Sequence, residues 1–245
     1  MSEHRRQTTA QFSRWSESYD RSILQWLVFS RAHRALIGKL RERFGDRPAK
    51  LLDIGCGTGI FAAQLREQLP NIRACGVDLV RGMILKGAER WRSISDHAIA
   101  IQGDSERLPF ADASFDAITC ANSFHHYPHQ QIAVNEMRRV LKPGGRLMLI
   151  EGYRDAPWGW FIFDVCVTGI EKNVLHPSRK QFREMFAAAG FGEVEQRVHR
   201  GAAPFLFNEA VAPLGSEAVP APHFPVGEPF AIPKALSGQS ITLAR

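Results

Sequence analysis

The sequence predicts an α/β domain wound around a mostly parallel sheet, and three observations predict it. Between residues 50 and 150, short Val/Ile/Leu-rich runs alternate with longer amphipathic stretches, the pattern of strand–helix units. The stretch "LLDIGCGTG", residues 51–59, sets Gly55, Gly57 and Gly59 directly after a strand candidate and before a helical pattern. The acidic residues Asp78 and Asp104 close the next two strand candidates, so polar side chains gather at the carboxyl edge where such sheets bind ligands.

Taken in order, residues 20–44 read as one long helix, with Ile23, Leu24, Leu27, Val28, Ala32, Leu36, Leu40 and Phe44 at spacings of three and four and a cap at Asp20 or Ser18. The strands expected are "KLLDIG", "RACGVDL", "AIAIQGD", "FDAITCANS" and "GRLMLIEG". Helices fit between them from Ile60 to Leu69 before Pro70, from Arg81 to Trp91, and from His129 to Leu141, stopped by "KPGG". Ser178 and Gln181 then stand at capping-box spacing, Gly190 is placed for a helix C-terminal turn, and "EVEQRVHR" reads as a further strand. From Ala212 prolines recur through Lys234, which predicts an irregular segment. The expected organisation is a helical N-terminal cap over 1–45, the main domain over 46–211 and a Pro-rich tail over 212–245.

With 44% hydrophobic and 23% charged residues the chain has ordinary globular composition. Neither a membrane-spanning run nor a secretory leader is evident, so a cytoplasmic protein is expected. Cys56, Cys75, Cys120 and Cys166 form no CxxC pair and read as reduced core thiols. The formal net charge of +6 is spread along the chain, and nucleic acid is not the partner expected from it.

The glycine turn lets backbone N–H groups and a positive helix end face a ligand with no side chain between. The dinucleotide fingerprint needs its third glycine where Ile60 stands, and the phosphate loop GxxxxGK[ST] is absent. NAD and ATP are therefore not expected, while a nucleotide-like cofactor is. Asp78 is placed to accept both hydroxyls of a ribose, and Asp104 to accept the exocyclic amino group of an adenine. A surface carboxylate and a turn aspartate are the plain structural readings of the same two residues.

"LLDIGCGTG", "GVDLV", "GDSERLPFADASFDAI" and "RVLKPGGRLMLIE" together resemble a class I S-adenosylmethionine-dependent methyltransferase, nearest the ubiquinone and menaquinone C-methyltransferases, over roughly residues 12–200. The resemblance implies a Rossmann-like doubly wound sheet of seven strands with a reversed last strand, and S-adenosyl-L-methionine as cofactor. It implies that Asp53 and the glycine backbone hold the methionine end, Asp78 the ribose, Leu79 one adenine face, and Asp104 with Ser105 the adenine edge. Asn122 would line the methionine moiety. One departure is "DLVRGMI", where Arg81 and Gly82 precede Met83 in place of the serine family members often carry.

A methyl already carried on a sulfonium needs alignment and exclusion of water more than activation, so no metal is required. Where a base is used, His125 and His126 of "ANSFHHYPHQ" are the candidates; shaping the pocket or capping the next helix is the competing role. Adjacent histidines point apart and no acid stands near them in sequence, so no metal site is expected there. Tyr19, Tyr127, Trp158 and Trp160 are candidate substrate contacts in segments laid over the sheet edge, with Phe161 and Phe163 beside them. The first helix carries Arg21, Arg31, Arg34, Lys39, Arg41 and Arg43 beside an apolar stripe, suited either to peripheral contact with an anionic membrane or to a solvated face. The function expected is methyl transfer to carbon, oxygen or nitrogen of a small hydrophobic or aromatic metabolite. An RNA methyltransferase of the same fold and a silent cofactor-binding subunit are the alternatives.

Overall fold

The computed structural model describes residues 23–96, 98–168 and 174–215, with the side chains of the first helix described from Phe29 onward. The expected cap at Asp20 or Ser18, Arg21, Tyr19 and the tail beyond 215 lie outside these residues. The strands are β1 (Ala49–Ile54), β2 (Ile72–Asp78), β3 (Ala98–Gln102), β4 (Phe115–Ala121), β5 (Leu141–Gly152), β6 (Val194–His199) and β7 (Phe205–Val211). They form one 7-stranded sheet in the order β3-β2-β1-β4-β5-β7-β6. The first five pair in parallel, and β7 slots between β5 and β6 antiparallel to both.

Alternation along each strand feeds two apolar layers. Leu52 and Ile54 face one side, with Ile118, Cys120, Met137, Phe182 and Phe186. Leu51 faces the other, with Leu36, Leu40, Phe61, Leu65 and Trp91. The helices covering these layers are α1 (Ile23–Phe44), α2 (Ile60–Gln68), α3 (Arg81–Lys86), α4 (Ala88–Ser93), α5 (Gln130–Val140), α6 (Pro157–Trp160) and α7 (Arg179–Ala188). A 3-10 turn spans Phe124–His126 and a π-helical stretch spans Phe161–Val167. Among the described residues no helix is long and apolar enough to cross a membrane.

Three elements differ from the sequence expectation. The single helix over 81–91 is two, broken at Gly87, because the chain there passes so close to the glycine turn that a Cβ would collide with the Thr58 carbonyl. "KPGG" stops α5, but the chain enters β5 at once: Phe115 pairs with Leu141 and Ala117 with Arg146, so Lys142–Gly145 form a bulge within the strand. Gly144 takes φ 74 in that bulge and donates its N–H to the Ala212 carbonyl at 2.8 Å. The third is β7, whose "FLFNEAV" carries Asn208 and Glu209 at 0% and 2% exposure. Glu209 is met by Lys39 and Arg43 of α1 and by Arg146 of β5, and Asn208 donates to the Leu149 carbonyl at 3.2 Å. Part of the basic face of α1 therefore serves to hold the sheet. Cys56, Cys75 and Cys120 are buried thiols as expected, whereas Cys166 lies exposed on the π-helical stretch and is no core residue.

Candidate functional site

Because β1 has β2 on one side and β4 on the other, its connections leave in opposite directions and open a crevice at the carboxyl ends of the strands. A cleft open to solvent lies there, lined by the glycine turn, the ends of β2, β3 and β4, the turn after β4, and Phe29 of α1. The turn itself is built by three positive φ angles, 74°, 53° and 78° at Gly55, Gly57 and Gly59, which favour glycine. Gly55 and Gly57 line the cleft; Gly59 packs under the Trp91 ring, where a Cβ would approach Cε2 to 2.6 Å.

Asp78 ties the turn to β2. Its Oδ2 accepts the Gly57 N–H at 2.8 Å and its Oδ1 the Val80 N–H at 2.8 Å. Burial raises its pKa and these two donors oppose the rise. Each oxygen has acceptor capacity beyond the one N–H it takes, and Asp78 lines the cleft, the chemistry a pair of ribose hydroxyls needs. Leu79, Asp104 and Ser105 line the same wall, and Asp104 Oδ1 accepts the Glu106 N–H at 3.0 Å.

Asn122 closes the cleft from β4. It stands at φ 52, its N–H donates to the Ile150 carbonyl at 2.9 Å, and its Nδ2 is buried without a hydrogen-bond partner among the described residues. An amide donor left so in this cleft wants an acceptor from the ligand. Together with glycines that leave the backbone open, this is a wall that fits a cofactor with a carboxylate at one end and a ribose and adenine at the other.

Asp53 stands apart from the cleft lining. It is 5% exposed, faces Thr119 across the strand pair and accepts that hydroxyl at 2.7 Å. Burial pushes its pKa up to about 7, the Thr119 hydroxyl pulls down and Asp78 pushes further up.

The two histidine rings do not point apart as expected but lie 4.1 Å from one another, and only one of them reaches the cleft. His126 lines the cleft with Tyr127 and Pro128. His125 turns inward instead, its Nδ1 at 2.7 Å from Glu151 Oε2, because Glu151 at the end of β5 draws the ring into the protein. Tyr127 Oη lies 3.0 Å from Ser123 Oγ, and burial raises its pKa well above the ordinary phenol value, so it stays neutral. Trp158 and Trp160 do not line the cleft; they are 56% and 51% exposed on α6, and Trp158 Nε1 donates to the Ala202 carbonyl at 3.0 Å. Residues that spacing did not single out include Phe29, Met83 and Ser123 in the cleft wall. Glu151 and His176 behind His125 were also missed. An acid ending the apolar run "LMLI" was the one available signal for Glu151.

A family model described as a methyltransferase domain matches residues 52–149. The demethylmenaquinone methyltransferase of Deinococcus radiodurans is 39% identical over 110 residues, 45% of this chain and 46% of that protein. A ubiquinone/menaquinone biosynthesis C-methyltransferase of Cereibacter sphaeroides is 30% identical over 210 residues, 76% of this chain and 83% of that one. Among solved structures, an S-adenosylmethionine-dependent methyltransferase of Thermotoga maritima described as a possible histamine N-methyltransferase superposes with a TM-score of 0.64 at 21% identity, covering 82% of this chain and 98% of that one. That likeness establishes the fold, and the long match to the Cereibacter enzyme establishes the kinship. The protein with its glycine turn at the switch point of a sheet ordered 3-2-1-4-5-7-6 thus belongs to the class I S-adenosylmethionine-dependent methyltransferases, near the ubiquinone/menaquinone C-methyltransferases.

Proposed function

We propose that the enzyme methylates a ring carbon of a small, hydrophobic, quinol-like or phenolic metabolite. The observation that carries this reading is the make-up of the cleft, whose lining joins the polar Asp78, Asp104 and Asn122 with Phe29, His126, Tyr127 and Pro128. The relatives named for menaquinone and ubiquinone methylation support the choice of carbon over oxygen or nitrogen.

The residues assigned to the cofactor are Gly55 and Gly57 through their backbone, Asp78 for the ribose, Leu79, Asp104 and Ser105 for the adenine, and Asn122 for the methionine end. The bound cofactor supplies an electrophilic methyl group. Asp53 acts from behind, holding strand β1 against β4 through Thr119. His126 accepts the hydroxyl proton of the substrate, which raises electron density at the ring carbon; once the carbon takes the methyl, its own hydrogen leaves as a proton, restoring the aromatic ring and the hydroxyl. Tyr127, held neutral, is a hydrogen-bond partner and not a base. Phe29 places α1 at the rim of the cleft, where it shields the reacting atoms from water. A cytoplasmic location follows from this reading and is supported by three buried, unpaired thiols. Contact of the basic α1 with a membrane would bring a lipophilic substrate to the same rim.

Incubation with methyl-labelled cofactor and a panel of quinols, phenols and amines tests the proposal, with the methyl located by NMR. Label on a ring carbon is expected, and replacing His126 with Gln should lower kcat about 10²-fold to 10⁴-fold at unchanged cofactor affinity. Label only on oxygen or nitrogen overturns the choice of carbon.

A further inference from the structure

Behind the turn that walls the cleft, three donor side chains meet that lie far apart in sequence. His125 comes from the 3-10 turn after β4, Glu151 from the end of β5 and His176 from the segment before α7. All are buried, at 7%, 1% and 8% exposure, and one ligand atom of each lies within 4.8 Å of the others. His125 Nδ1 is 2.7 Å from Glu151 Oε2, and the two histidine rings are 4.8 Å apart.

Backbone hydrogen bonds lock the three donors to one another. Glu151 Oε1 accepts the backbone N–H of Phe124 at 2.7 Å and that of His125 at 3.4 Å, which leaves Oε2 to the histidines. The segment carrying His176 is pinned by the Leu175 N–H on the His125 carbonyl at 2.8 Å, by Gln130 Nε2 on the Leu175 carbonyl at 2.7 Å, and by Arg154 Nη1 on the His176 carbonyl at 3.1 Å. Phe163 roofs the cluster, its ring 5.6 Å from that of His176. A carboxylate as buried as that of Glu151 needs a cation beside it.

We propose that His125, Glu151 and His176 bind one divalent transition-metal ion of the zinc type. Two imidazoles and one carboxylate are a donor set that zinc accepts, with a fourth position left over. Donors on a tetrahedral ion with bonds of about 2 Å stand roughly 3.3 Å apart, so the cluster closes by modest side-chain rotations and the ion takes the place of the proton between His125 and Glu151. The adjacent His126 is not needed as a ligand: its ring lies 4.1 Å from that of His125 and lines the cleft, while the acid and the second histidine of the cluster arrive from other elements. None of the three donors lines the cleft. The ion is therefore a positioning device, tying the turn that presents His126 and Tyr127 to β5 and to the segment before α7.

The full-length protein, stripped with chelator and dialysed, is titrated with Zn²⁺ by calorimetry and with Co²⁺ by visible absorption. One Zn²⁺ per chain at micromolar affinity or tighter is expected, with Co²⁺ spectra of tetrahedral nitrogen and oxygen coordination. His176→Gln leaves the His125–Glu151 pair in place and should weaken binding at least about 100-fold, more than the loss of an outer partner. His129→Gln, at an exposed histidine paired with Glu106, should change nothing. No Zn²⁺ uptake by the folded wild type, or equal affinity in wild type and His176→Gln, overturns the site. Neither readout uses a methyl acceptor, so the result stands apart from the substrate assignment.

Discussion

Asp78 props the glycine turn through Gly57 and Val80 and also faces the cleft. Hydrogen bonds to a charged group are worth about 1.5 to 3 kcal/mol, so replacing Asp78 with Ala should weaken S-adenosylhomocysteine binding at least about tenfold. Because the residue is a prop as well, calorimetry is paired with a melting curve. Unchanged affinity at unchanged melting temperature would move the ribose elsewhere. The glycine beside it is less forgiving: a Cβ on Gly55 would collide with Ser123, whereas one on Gly57 meets only Met83 Cε at 3.6 Å. Both positions carry positive φ, which costs a non-glycine residue about 1 to 2 kcal/mol. Gly55→Ala should therefore lower the melting temperature more than Gly57→Ala does. Equal losses would show that the backbone strain, and not the contact with Ser123, sets the cost.

At the scale of elements, the clamp between α1 and β7 is the contact the sequence hid. Glu209 sits 2% exposed among Lys39, Arg43 and Arg146, and although burial raises its pKa, Arg43 first and Lys39 next bring it below the ordinary value. Removing one partner of a buried ion cluster costs about 3 to 5 kcal/mol, since the others stay buried without compensation. Glu209→Ala should lower the urea midpoint accordingly, and a loss near zero would mean that water screens the cluster. Strands β1, β2, β4 and β5 were legible because strands buried on both faces read as apolar runs, and β3, the half-exposed edge, because "AIAI" is apolar all the same. The run "FLFNEAV" was not, because its polar residues find their partners on α1 and β5 and nothing local announces that. The same distance hid the donors around His125: Glu151 lies 26 positions away and His176 on another element. The glycine turn, Asp78 and Asp104 were readable because strand ends fix where side chains emerge, whereas Asn122 came only with the family resemblance. Trp158 and Trp160 were not placed by pattern, because four residues of helix and a π-helical stretch carry no periodicity that points them inward or outward.

For the molecule as a whole, two buried groups on the α1 and α2 side set opposing dependences of stability on pH. His33, hydrogen-bonded to Gln64 at 3.0 Å, has its pKa lowered by burial to about 4 from 6.5. The unfolded chain binds its proton first, so this contribution is complete above pH 6.5 and is lost as pH falls toward 4. Asp53 has its pKa raised by burial to about 7 from 3.8; the folded state keeps the proton longer, so its contribution is complete below pH 3.8 and is lost as pH rises through 7. At 1.36 kcal/mol per unit, stability between about pH 5 and 7 should gain about 2 kcal/mol from His33 and lose about 3 from Asp53. Carboxylates held low by cations, such as Glu209, titrate below this window. The wild type should therefore show a flat profile in urea unfolding. Asp53→Asn, which keeps an acceptor for Thr119, should become more stable as pH rises, and His33→Gln less stable. If all three proteins share one slope, the two burial effects do not govern the acid side of the stability curve, and the balance lies with groups on the sheet's other face.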